Sequence, residues 1–156
     1  MFTEILVPYD GSEQASRALS AAIDLAVDPQ PVTITVLQVT NTDNVDKTAF
    51  EVAAHMAGLT DDRSTLKLLS DEYAAARKEQ AQAKVAEFFE QLPENVNIKI
   101  AVERGDPREV VCEYAKKNDI DCIIMGRRGL GGFRATLGSV STAVLRYTEL
   151  PVMVVR

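Results

Sequence analysis

From Met125 to Ser141 the sequence reads M-G-R-R-G-L-G-G-F-R-A-T-L-G-S-V-S, with five glycines and three arginines. Glycine permits positive φ and close approach of a ligand, so successive backbone N–H groups can converge on one anion. Gly138-Ser139 then opens a helical stretch, and a helix start offers free N–H groups and the positive dipole end to phosphate. Ser139 adds a hydroxyl donor, while Arg127, Arg128 and Arg134 raise the local potential. The chemistry these residues suit is phosphate binding. On composition alone, a surface loop whose glycines only make turns remains the alternative. The familiar fingerprints do not match: Arg134 stands where the third glycine of G-x-G-x-x-G belongs, and no G-K-[ST] is present.

A second constellation is Pro8-Tyr9-Asp10-Gly11-Ser12. Asp10 is either a cap within a D-G-S turn or a polar contact for a ligand. Other reactive residue types carry less. His55 is the only histidine and has no partner at metal-ligand spacing. Cys112 and Cys122 fall in segments read as core helix and core strand, too few for a disulfide framework and without a histidine partner nearby. Glu72, Arg77, Lys78, Glu79 and Lys84 read as the wet face of a helix.

These segments must be positioned by regular elements. Glu4 to Tyr9 is a short apolar run, hence a buried strand, turning into a helix capped near Ser12. Ala15, Ala18, Leu19, Ala22, Ile23 and Ala26 share one helical face, and Pro29 and Pro31 end it. Val32 to Val39 is a β-branched strand. The stretch from Thr40 to Thr60 is polar, with one short helix around Phe50 to Met56. Leu66, Leu69, Tyr73, Ala76, Val85, Phe88 and Leu92 mark one face of a long helix stopped by Pro93. A third strand spans Val96 to Glu103, a helix Arg108 to Asn118, a fourth strand Ile120 to Met125, a helix Ser139 to Tyr147, and a last strand Pro151 to Val155.

Strict β-α alternation predicts a mainly parallel sheet with helices on both faces. Such sheets bind ligands beyond the C-terminal strand ends where strand order reverses. If strands one and four are neighbours, Asp10 and the glycine stretch face each other across one crevice.

The chain has 156 residues, 46% apolar and 26% charged, which suits one folded domain over 1–156. A net charge of −6 argues against a general binder of nucleic acid or anionic membrane. No apolar run approaches the ~20 residues that span a bilayer, and Met1-Phe2-Thr3-Glu4 shows no basic leader, so a cytoplasmic protein is expected.

I-L-V-P-Y-D-G-S, V-x-x-G-D-P at Val102 to Pro107, I-I-M-G-R-R-G, G-S-V-S and the closing P-V-M-V-V together resemble the universal stress protein family over the whole chain. That family's ATP-binding members carry glycine, two residues, glycine, nine residues, then glycine and serine or threonine. Here Gly126 and Gly129 are followed by eight residues, Leu130 to Leu137, before Gly138-Ser139. The resemblance implies a flavodoxin-like α/β fold of strand order 3-2-1-4-5. It places Asp10 beside adenosine, Pro8 under the ribose and Val39 at adenine, although Val39 also reads as plain core. Met125, Gly126, Arg128, Gly129, Gly138, Ser139 and Val140 match the ribose and phosphate contacts. It further implies ATP or AMP as ligand, with Mg²⁺ accompanying the nucleotide, and a homodimer through the C-terminal edge strand. The function expected is a nucleotide-responsive stress regulator with a protein partner. A slow ATPase or phosphoryl-transfer enzyme using the same pocket, and a nucleotide-free dimer, are the alternatives.

Overall fold

The structure, a computed structural model, describes residues 2–26, 30–40, 72, 75–76, 79–88, 92–128 and 137–156. Its strands are β1 (Glu4–Pro8), β2 (Val32–Thr40), β3 (Val96–Arg104), β4 (Cys122–Gly126) and β5 (Val152–Val155). Its helices are α1 (Glu13–Leu25), the helical residues 79–88 (α2), α3 (Pro107–Lys117) and α4 (Ser139–Tyr147). All strand pairs are parallel, in the order β3-β2-β1-β4-β5. This is the expected five-stranded, doubly wound sheet. Element ends differ from the sequence reading by one or two residues, as where β4 begins at Cys122 and not Ile120.

Both sheet faces are covered, which explains the unbroken apolar runs of β1 and β4. Alternate side chains divide between two cores. Ile5, Val7, Tyr9, Ile34, Val36 and Ile124 pack with Ala18, Leu19 and Ala22 of α1 and Val85 of α2. Leu6, Leu37, Ile123 and Met125 pack on the opposite face with Val111 and Ala115 of α3 and Val144 of α4. Leu6 has no exposure at all, so trimming it to alanine would cost about 2–5 kcal/mol.

The long helix differs in one respect from its expected face. Ala81 and Val85 are buried and Phe88 packs beside them, but Ala76 is exposed. On an ideal helix two positions nine apart in sequence lie half a turn out of phase, so a stripe that includes Val85 does not include Ala76. Leu66, Leu69, Tyr73 and the Phe50 to Met56 helix lie outside the described residues, as does His55.

The N-terminal end of the sheet is held by Asp121. Its Oδ2 accepts from the Thr3 amide at 2.8 Å, the Thr3 hydroxyl at 3.2 Å and the Glu4 amide at 3.2 Å. On the opposite, C-terminal side, the strand order reverses between β1 and β4. Their outgoing segments build the candidate site.

Candidate nucleotide crevice

The chain leaves β1 through a tight turn. Gly11 has φ +83°, a conformation that a side chain would strain. Asp10 Oδ1 accepts from the Ser12 amide at 2.9 Å, and Ser12 Oγ accepts from the Ala15 amide at 3.2 Å. Asp10 thus closes an Asx turn and Ser12 caps α1. The Tyr9 amide reaches the Leu37 carbonyl at 2.8 Å, extending β1 alongside β2 by one residue. Cap and ligand-contact readings of Asp10 are compatible, since the residue is only half-buried at the mouth of the turn it closes.

The chain leaves β4 under tighter constraint. The Arg127 amide donates to the Val155 carbonyl at 2.8 Å, and the Arg127 carbonyl accepts from both the Gly138 amide at 2.9 Å and Ser141 Oγ at 2.8 Å. The segment from Arg127 to Gly138 is therefore tied at its base, and α4 starts beside the end of β4. Gly138 is the N-cap of α4 and has no side chain with which to cap it, while its own amide is committed to the Arg127 carbonyl. Ser139 is exposed at the first helical position, whereas Ser141 is buried and committed to Arg127. Of the two serines in G-S-V-S, Ser139 is the one available to a ligand.

Of the other predicted residues, Pro8 lies on β1, Val39 on β2, Met125 and Gly126 on β4, and Val140 on α4. Met125 is buried in the core under α3 and α4, and Val39 and Val140 pack against that same core. Pro8 follows Leu6 by two in β1 and so belongs to the same face. Gly126 ends β4, and Arg128 follows half-buried. Gly129 and Arg134 lie outside the described residues. Gly126 carries a second, unforeseen constraint: a Cβ there would come within 2.8 Å of Gln14 Cβ in the first turn of α1. Nothing local in the glycine stretch signals that contact.

Burial pushes the Cys122 thiol up to about 11 and raises that of Cys112, so both are poor nucleophiles at neutral pH. Among the described residues no group of His, Cys, Asp and Glu is arranged to hold a metal ion, and no helix is long and apolar enough to cross a membrane.

The model of the Universal stress protein family matches residues 1–156. The chain belongs to that family. The universal stress protein YxiE of Bacillus subtilis is 27% identical over the full length of both chains. The solved universal stress protein UspA from Lactobacillus plantarum superposes with a TM-score of 0.71 at 27% identity, covering 99% of this chain and 98% of that one. Two further family structures share the fold at 20% identity. One is a universal stress protein in complex with cAMP (TM-score 0.59, 99% and 97% covered). The other is a family protein from Arabidopsis thaliana with AMP bound (TM-score 0.58, 98% and 90% covered).

Proposed function

We propose that this universal stress protein binds an adenine nucleotide, ATP or AMP, at the C-terminal ends of β1 and β4 and acts as a nucleotide-responsive regulator. The observation that carries the reading is the meeting of two independent segments at the reversal of strand order. The Asp10 turn is set by β1, and the uncapped start of α4 is held against the end of β4. In this reading Val39 and Pro8 line the adenosine end and Asp10 accepts from its hydroxyls. Met125, Gly126, Arg128, Gly129, Gly138, Ser139 and Val140 surround ribose and phosphates. The cAMP and AMP bound by two proteins of the same fold support an adenine ligand.

The residues present fit such a ligand. An exposed serine at an uncapped helix start is a phosphate-binding arrangement. Mg²⁺ arriving with ATP would be held by phosphate oxygens, water and the Ser139 hydroxyl, and would supply charge neutralisation. The cytoplasm is the proposed compartment, with a homodimer as the proposed assembly and a regulatory protein as the proposed partner.

Mass spectrometry of the denatured purified protein, with calorimetric titration of ATP, AMP and cAMP, tests the proposal. Co-purified or titratable adenine nucleotide is the expected result. Protein that carries none and takes up none of the three would overturn it.

A further inference from the structure

Lys84 is exposed on α2, seventy-three residues away in sequence from the β1 turn, yet its Nζ donates to the Gly11 carbonyl at 2.9 Å. Its helix is docked by the neighbouring Val85 and by Ala81, both fully buried, so the lysine projects from a fixed base. The Gly11 carbonyl and the Ser12 amide belong to one peptide unit. Lys84 grips that unit at its oxygen while Asp10 Oδ1 grips it at its N–H, at 2.9 Å. A peptide that follows a glycine at φ +83° has unusual freedom to rotate, and these two contacts stop the rotation from opposite ends.

Helix electrostatics do not account for the lysine. The Gly11 carbonyl lies at the N-terminal end of α1, where the dipole disfavours a cation. Its role is to be sought in the peptide it holds.

We infer that Lys84 is a positioning residue for Asp10, holding the Gly11–Ser12 peptide so that the Ser12 amide stays on Oδ1 and the carboxylate keeps one orientation toward the crevice. The inference deepens the proposed function and rests on it where binding is concerned. It assigns to α2, a helix the glycine stretch never touches in sequence, a part in adenosine recognition. Lys84 acts through Asp10, so its effect belongs to the adenosine end and not to the phosphates.

The test uses the full chain with Lys84→Met, which keeps much of the stem and removes the donor, and Lys84→Arg, which restores a donor. Binding of adenosine and of ATP is measured by calorimetry, and exchange of the Ser12 amide by nuclear magnetic resonance in the nucleotide-free protein. In Lys84→Met both ligands should weaken by the same factor, about five- to tenfold, the worth of one net hydrogen bond. Ser12 exchange should quicken, and Lys84→Arg should restore both readouts. Unchanged affinity and exchange in Lys84→Met would overturn the inference. A loss confined to ATP would overturn it too, making Lys84 a phosphate contact, as would failure of Lys84→Arg to rescue. If the unmodified protein binds neither adenosine nor ATP, the nucleotide reading falls by itself. Ser12 exchange then decides Lys84 alone, faster exchange in Lys84→Met upholding its hold on the Asp10 turn and unchanged exchange overturning it.

Discussion

The missing side chain of Gly126 is filled by Gln14: a Cβ at 126 would lie 2.8 Å from Gln14 Cβ and 3.0 Å from the Gln14 carbonyl carbon. Backbone on the receiving side cannot swing away as a flexible side chain can, so β4 and α1 approach this closely only because residue 126 is glycine. Gly138 is less constrained, with its nearest neighbours at 3.3 Å. Gly126→Val should therefore destabilise the fold by about 1–3 kcal/mol or more, the usual cost of forcing extra carbon into a packed contact. Gly138→Ala should cost less, about 1 kcal/mol or under as an N-cap change, and weaken nucleotide binding in a folded protein. Urea denaturation decides it. Equal stability losses for the two variants would remove the distinction.

Asp10 has a turn to hold as well as a proposed ligand contact, and the two separate by substitution. Asparagine keeps an acceptor for the Ser12 amide, while alanine does not. Asp10→Asn should be nearly as stable as the parent, and Asp10→Ala about 1 kcal/mol less so. Both should bind ATP and adenosine more weakly while inorganic triphosphate is spared. Equal losses for triphosphate and ATP would reduce Asp10 to a structural cap.

The proposed homodimer uses β5, which ends the sheet. An apolar edge strand invites pairing. Val154 packs against the core under α3 and α4, so a lysine there would damage the monomer as well as any interface. Met153 is exposed, which makes Met153→Lys the cleaner probe. Light scattering should report monomers for that variant with unchanged circular dichroism. A persisting dimer would move the interface elsewhere.

Acid should loosen the start of α3. Asp106 caps this helix through the Arg108 amide at 2.9 Å, and Arg108 also grips its carboxylate. These bonds lower the Asp106 carboxyl from 3.8 to about 2. A depressed carboxyl stabilises the fold above its unfolded value and loses that contribution as pH falls through its folded value, here between about pH 4 and 2. The pair is solvent-accessible, so the effect is modest. Asp106→Asn should flatten the stability profile in that window alone, as thermal melts across pH 2 to 5 would show.

Turnover separates a regulator from an enzyme. Fast phosphoryl transfer needs a positioned metal and a group orienting the nucleophile. Asp10 is the carboxylate at the end of β1, and the Ser12 amide already occupies one of its oxygens. We expect ATP hydrolysis slower than about one turnover per minute, against ~10 per second for a typical enzyme. Sustained release of phosphate near one per second, abolished by Ser139→Ala, would favour the enzyme.

The parallel order and the helix on each connection were legible because β-branched runs alternate with amphipathic periods and end in Pro or Gly. The D-G-S turn and the G-D-P helix start were legible because their chemistry is local: a short side chain bonds an amide two residues on. What stayed hidden is long-range. The Gly126–Gln14 approach joins two elements by backbone shape, to which no residue type testifies. Lys84 reads as one more surface cation until folding lays α2 beside Gly11. Ala76 was misplaced for a simpler reason, that a stripe extrapolated across nine residues drifts half a turn.

The double grip on the Arg127 carbonyl has a consequence for Ser139. Gly138 and Ser141 both return to one oxygen at the end of β4, and the Arg127 amide is held in turn by the Val155 carbonyl of β5. Ser139 lies between those two anchors, so the sheet edge sets its position. A change that loosened β5 from Arg127 would then be felt at the start of α4, in a serine that touches neither strand.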